Sequence, residues 1–455
     1  MSSFLLPFAL LWAGIPAADQ LARDLLEQLI NLNTDSTHGT TAAAEAVAAR
    51  LKAAGFPDRD IAIAGGNPKK LNVVVRIHGS GGRRPLLFVG HLDVVDARRD
   101  DWSFDPFQFR QSDGWFYGRG TSDMKADDAI LLANFIRLKQ ENYRPDRDLI
   151  LALTADEESG DDNGVDWLLK HRRELIDSEY AINCDAGGGQ IRNGKRILES
   201  VQVAEKTYLS FRLEVRNKGG HSSLPVKDNA IYRLAEGLAR LARFDFPVTL
   251  SDVTRAYFER MAELEKPEIA GAMKRLISTT PPDPDAAAQL AKTPYFNAEM
   301  RTTCVATRLE AGHADNALPQ LARATVNCRI LPGQSVANVE KTLVEVLADD
   351  HIQVSKIEQR DTTSPASALN PEVMHAIESA THALWPGIPI VPVMETGATD
   401  SKYLRDAGIP AYGVSGIFAD MDDVRAHGRD ERVKATAFFE GREFVYRVMK
   451  TLGSR

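Results

Sequence analysis

The apolar run Leu86–Gly90 leads directly into His91-Leu92-Asp93. Neutral imidazole is a good ligand for divalent transition metals. At a strand end, residues two apart point the same way, so His91 could hold a cation while Asp93 orients its ring. Asp123 stands between the glycine-rich loop Gly118-Arg119-Gly120-Thr121-Ser122 and a long helical pattern. The glycines permit tight turns there, and a carboxylate so placed can bridge two cations. A third apolar run, Leu149–Thr154, delivers Asp156-Glu157-Glu158. Three adjacent acids repel one another unless a cation is near; one can then be a ligand and its neighbour a general base. Asn183-Cys184-Asp185 places another acid behind an apolar strand, and Ala426-His427-Gly428 supplies a second histidine in a polar loop. One such residue is more often a cap or a surface group. Several of them behind successive strands argue for a site. His38, His78, His171, His313, His351, His375 and His382 lack that setting and read as structural or exposed.

The elements that must position these groups follow from periodicity. Ala18–Ile30, Thr41–Ala54, Met124–Gln140 and Val165–Leu175 read as helices; Asn72–Ile77, Pro85–Val89, Leu149–Thr154 and Tyr180–Asn183 read as strands. This alternation predicts an α/β fold with a mostly parallel sheet, in which sites gather outside the carboxyl ends of the strands. Near residue 202 the pattern changes. Thr207–Val215, Thr303–Leu309 and Ala322–Leu331 alternate as half-exposed strands, and Asn229–Ala242 and Val336–Asp349 read as helices. The expected organisation is a catalytic domain over 19–204 and 333–455, interrupted by a smaller α+β lid or dimerisation domain over 205–332. The stretch 243–300, rich in Ala, Glu, Lys and Pro, reads as a helical insertion, and hinges are expected near 202–206 and 331–335.

With 455 residues, two domains are the prior expectation. A net charge of −8 with no basic block excludes nucleic acid as the main partner and leaves a small molecule or peptide. Cys184, Cys304 and Cys328 are odd in number and widely separated, which predicts neither a disulfide framework nor a cysteine–zinc site. Phe4–Ile15 is an apolar run of signal-peptide length before Ala17-Ala18, but no basic residue precedes Arg23. Residues 1–18 therefore read as a signal peptide, placing the protein in the periplasm or outside the cell, or else as a segment packed on the first helix of a cytoplasmic protein. No stretch reads as a membrane span.

The segments GHLDVV, GRGTSDMKADDA, DEESG and NCDAG, in this order, resemble the M20 metallopeptidases, which include carboxypeptidases, aminoacylases and desuccinylases. The resemblance spans roughly 20–450. It implies two divalent metal ions, with Asp123 bridging them, His91 and Asp185 completing one site, and Glu158 and His427 the other. It implies Glu157 as general base, Asp93 as the partner that orients His91, and a cis peptide at Asp123-Met124. An oxygen and nitrogen ligand set suits Zn²⁺, with Co²⁺ or Mn²⁺ as alternatives. Gly219-Gly220-His221-Ser222-Ser223 resembles the family segment whose histidine helps hold the oxyanion, in dimeric members from the partner subunit. Asn316, Arg329 and Gly397 match substrate-binding positions, with Arg329 toward a carboxylate. A homodimer through the inserted domain is implied too, although the 243–300 insertion exceeds that of the compact dimeric members.

The activity implied is cleavage of an amide or peptide bond beside a carboxylate, as a carboxypeptidase, dipeptidase or N-acyl-amino-acid hydrolase. The alternatives are a biosynthetic N-acyl deacylase and a non-catalytic binding protein on the same fold.

Overall fold

Burial alternation within the strands shows how the core is laid out. In the computed structural model, which describes residues 17–160, 162–357 and 364–454, the strands Leu86–His91 and Leu149–Thr154 are buried throughout. Leu86, Phe88, Leu149, Leu151 and Leu153 face one side and pack with helices Ala17–Ile30, Thr41–Ala53, Lys125–Gln140 and Ala435–Gly453. Leu87, Val89, Ile150 and Ala152 face the other and pack with Val165 and Leu168 of Gly164–His171 and with Leu404. Successive residues point to opposite faces, so a continuous apolar run makes a strand covered on both sides.

The large sheet has ten strands among the described residues. At its centre Leu149–Thr154, Leu86–His91, Tyr180–Asn183 and Ala411–Gly413 run parallel. The flanks do not. Ile61–Asn67 pairs antiparallel with Lys70–Ile77, which pairs antiparallel with Leu149–Thr154. Gly188–Arg192 and Lys195–Glu205 form an antiparallel hairpin, and Ala411–Gly413 also meets Lys195–Glu205 antiparallel. The sheet is therefore mixed, which corrects the mostly parallel expectation. Hairpins at the edges need no crossover helix and reverse direction for free.

A separate four-stranded antiparallel sheet holds Thr303–Ala311, Leu321–Ile330, Thr207–Arg216 and Gln353–Lys356. Leu321–Ile330 alternates strictly between buried and half-buried residues. Its buried face forms a core of its own with helices Ala230–Leu241 and Val336–Leu347. The helices between 252 and 300 pack around Leu198, Val391 and Val393, on strands Lys195–Glu205 and Ile390–Glu395 of the large sheet. No helix among the described residues is long and apolar enough to cross a membrane.

Two of the cysteines pair, against expectation. Cys304 and Cys328 sit opposite one another on adjacent antiparallel strands and form a disulfide, while Cys184 is free and buried. They lie 24 residues apart in the chain, and only strand register brings them together. The double variant C304A/C328A is expected to lose about 3 kcal/mol of stability by loop-closure entropy. Urea unfolding of the oxidised wild type against the double variant checks this, and an unchanged midpoint contradicts it.

Candidate metal centre

Parallel neighbours end at the same side of a sheet. His91 is the last residue of its strand, Asp156-Glu157-Glu158 follow the strand beside it, and Asp185 follows the strand on the other side. This arrangement gathers three strand-end motifs at one mouth. Gly90 is required just before His91, because a Cβ there would lie 2.4 Å from Asp128 Oδ1.

Asp123 lies at the centre. Its Oδ1 is 3.2 Å from His91 Nε2 and its Oδ2 is 3.1 Å from His427 Nε2. His91 Nε2 is also 3.4 Å from Asp185 Oδ1, and His427 Nε2 is 2.9 Å from Glu158 Oε1. The structure thus brings together all five residues read as metal ligands, and the peptide Asp123-Met124 is cis. His91 Nε2 and Asp123 Oδ1 are fully buried yet make no hydrogen bond. Atoms this close and not aligned on each other aim at a shared point, as cation ligands do. Two groups of ligand atoms, His91 with Asp123 and Glu158, and His91 with Glu157 and Asp185, each fall within 4.8 Å of one another. The donor set therefore fits divalent metal ions.

The electrostatics agree. Burial pushes the Asp185 carboxyl up to about 7, and burial followed by Asp185 holds Glu157 well above the usual carboxylate range. Burial works against a charged His91, but Asp185 and Asp123 outweigh it and raise its pKa. Hydrogen bonds to Asp123 and Glu158 lift His427 to about 10. So many acids in one dry place stay ionised together only beside positive charge.

Asp93 works differently from its expected role. His91 Nδ1 meets the backbone carbonyl of Asp93 at 3.0 Å, while the nearest Asp93 carboxylate oxygen is 3.7 Å away. That carboxylate accepts hydrogen bonds from the amides of Glu157 and Glu158, at 3.1 and 3.0 Å. Asp93 thus fixes the His91 ring through its backbone and the acidic turn through its side chain. The Nδ1 contact to a carbonyl leaves Nε2 as the ligating nitrogen. Of the three consecutive acids, Asp156 is taken by Lys70, 2.8 Å away, and has a positive φ of 62°. Glu157 and Glu158 are left for the site.

Sequence reasoning missed Glu431. It is fully buried and accepts hydrogen bonds from the Arg119 guanidinium and from the amides of Gly120, Ser122 and Asp123. Arg119 also reaches the His427 carbonyl at 3.5 Å and stacks over Trp102. Together they tie the Asp123 loop to the His427 loop. The available signal was an acid four positions beyond His427. Asp400 was missed too; it is buried and accepts from Thr154 Oγ1 and Asn163 Nδ2, behind the strand that carries the acidic turn.

Among the described residues, no hydrogen bond or ion pair joins His221, Asn316, Arg329 or Gly397 to this cluster. His221 and Asn316 do meet each other, since Gly220–His221 pairs with Ala317–Leu318 and the Ser222 amide donates to the Asn316 carbonyl. His221 Nδ1 accepts from the Ser223 amide and faces its hydroxyl at 2.7 Å, which leaves the ring proton on Nε2. Arg329 lies on the smaller sheet with its guanidinium over Tyr208. Gly397 follows the strand Ile390–Glu395 and has open space where a Cβ would stand.

Two imidazoles and three carboxylates at the mouth of an α/β sheet, with a spare glutamate beside them, make up a metallohydrolase site. Residues 87–451 match the peptidase family M20/M25/M40, and the chain belongs to that family. It is 29% identical over 379 residues to the human N-fatty-acyl-amino acid synthase/hydrolase PM20D1, covering 81% of this chain and 74% of that protein. To the probable carboxypeptidase S-like 2 of Dictyostelium discoideum it is 27% identical, covering 81% and 71%. The fold is similar to that of the M20 metallo-carboxypeptidase Sso-CP2 from Sulfolobus solfataricus, with a TM-score of 0.70 at 18% identity over 95% of this chain and 99% of that one. The protein is an enzyme of the M20 hydrolase class, and the binding-protein alternative is set aside.

Proposed function

We propose that the protein is a dinuclear metal-dependent amidohydrolase that cleaves the bond between an acyl or peptidyl group and an amino acid whose carboxylate remains free. The observation that carries this reading is Asp123, which turns its two oxygens to two different imidazoles, His91 and His427. His91, Asp123 and Asp185 would hold one cation and Asp123, Glu158 and His427 the other. Imidazole and carboxylate without thiolate favour Zn²⁺, with Co²⁺ or Mn²⁺ as alternatives. When bound, such a pair polarises the scissile carbonyl and acidifies water.

Glu157 accepts the proton of the attacking water and hands it to the leaving amine. His221 offers its Nε2 proton to the developing oxyanion. Arg329 holds the substrate carboxylate with its planar fork, while Asn316 and the open backbone at Gly397 line the leaving-group side. His221, Asn316 and Arg329 come to the cluster by closure of the four-stranded sheet, with helices Ala230–Leu241 and Val336–Leu347 that share its core, over the large sheet that carries Gly397, or from a second subunit. The strand Thr303–Ala311 supports a dimer, since it is a sheet edge with Val305 and Leu309 exposed.

The substrates proposed are small peptides and N-acyl amino acids, in keeping with the names of the relatives. Export is proposed as well, supported by the Cys304–Cys328 bridge. The apolar run that would direct it lies outside the described residues. Elemental analysis paired with hydrolysis of dipeptides, N-acetyl and long-chain N-acyl amino acids and an acyl-diaminopimelate tests the reading. About two metal equivalents per chain with turnover is the expected result. No metal after reconstitution, and no turnover, would overturn it.

Metal affinity is expected to strengthen as pH rises from 6 to 8. Without metal, Asp185 titrates near 7 and His427 near 10, so both carry protons at the acid end of that window. A ligand must shed its proton to bind, so uptake releases protons. Calorimetry in buffers of different ionisation enthalpy measures that release, and proton-neutral uptake at pH 6.5 contradicts it.

A further inference from the structure

A cavity of about 390 Å³ opens beside the metal cluster, with Asp123 and Asp185 in its wall. Apolar side chains in the remaining wall include Trp115, Ile191, Ile417, Phe418, Val424 and Val433, beside several charged ones. Its volume falls at the lower end of the range for small-molecule sites.

The acids around it already accept hydrogen bonds. Asp423 accepts from Arg425 Nε at 2.7 Å and from Arg432 at 2.6 and 3.0 Å. The Arg432 guanidinium lies 4.1 Å from the Trp115 ring centroid. Asp127, at the buried side, accepts from the Ser415 hydroxyl at 2.8 Å. Asp420 is tied into its own turn by the Asp422 amide, and Lys434 is solvent-exposed. None of the residues assigned to the substrate carboxylate lines this space.

We propose that this cavity receives the apolar group on the carbonyl side of the scissile bond, and that Ile191, Phe418 and Val424 set how long that group can be. The inference rests on the amidohydrolase reading above. A substrate whose carbonyl sits at Asp123 must send its two halves in different directions. The carboxylate half is drawn toward Arg329, which lies outside this wall. A free amine finds Asp423 already paired with two guanidiniums, and Asp127 and Asp420 already accepting hydrogen bonds. An alkyl chain loses nothing on entering and gains by leaving water.

The test uses the metal-loaded enzyme and a series of N-acyl amino acids with one amino acid and straight acyl chains from acetyl upward. Each buried methylene is expected to raise kcat/KM about fourfold until the cavity is full. Straight-chain carboxylic acids from butanoate to dodecanoate, titrated by calorimetry, are expected to bind with the same dependence on length, which reads the cavity without turnover. Val424→Trp adds bulk at a residue that is 62% exposed, so folding is little disturbed. In it the ratio of kcat/KM for long over acetyl substrates is expected to fall at least tenfold, with metal content at the wild-type level. Phe418→Ala is expected to move the optimum to longer chains. Hydrolysis of acetyl amino acids or dipeptides with a flat chain-length profile, in both wild type and Val424→Trp, would overturn this proposal and leave the amidohydrolase reading standing. No hydrolysis of any member would overturn both.

Discussion

Glu157→Gln is expected to keep both metal ions and to lose turnover by a factor on the order of 10² or more. Glutamine keeps the shape and the hydrogen-bonding oxygen but cannot take a proton. Glu157 stands where a base must stand, with a ligand atom within 4.8 Å of those of His91 and Asp185. Its backbone is fixed by the Asp93 carboxylate. The same position would also serve a ligand, so metal content is measured beside kcat. Loss of one metal equivalent would make Glu157 a ligand, and full activity would remove it from the proton path altogether.

Glu431→Gln is expected to cost about 3–5 kcal/mol of stability, because it leaves the Arg119 guanidinium buried without its counter-charge. Arg119 is 3% exposed and Glu431 0%. The loss should reach the site as well. Glu431 holds the amides of Gly120, Ser122 and Asp123, and the glutamine amide group can accept with only one of its two polar atoms. The Asp123 loop then loosens, and metal affinity should fall along with stability. A double variant, Arg119→Met with Glu431→Gln, separates the two effects. Removing the orphaned charge is expected to recover much of the stability, as buried pairs often tolerate apolar replacement, but not the metal affinity. Urea unfolding of the metal-free protein and a competitive chelator titration read these quantities. If Glu431→Gln binds metal as tightly as wild type, the anchoring role is wrong.

Much of the site could be read from the chain because its chemistry sits at the ends of locally recognisable elements. Leu86–Val89 and Leu149–Thr154 announce themselves by apolar content alone, and His91 and Glu157-Glu158 follow directly. Some missed structure also had a local signature. Asn193-Gly194, with φ values of 52° and 70°, makes the two-residue turn between Gly188–Arg192 and Lys195–Glu205. Other elements hid. Ile61–Asn67 has only Ile61 and Ile63 as β-branched residues among Ala, Gly and Asn, and Ile390–Glu395 contains Pro392, which argues against a strand inside a sheet.

The amino-acid sequence by itself carried the resemblance to the family, and with it the class of this protein: His91, Asp123, Glu157, Glu158 and Asp185 each stand in a short motif that needs only its neighbours to form. The tertiary structure decided how they are shared out. It made the sheet mixed and paired Cys304 with Cys328. It turned the Asp93 carboxylate from the His91 ring to the acidic turn and put Glu431 beneath Asp123. Each of these joins residues far apart in the chain, where register and packing choose the partner and no local preference of the backbone records the choice.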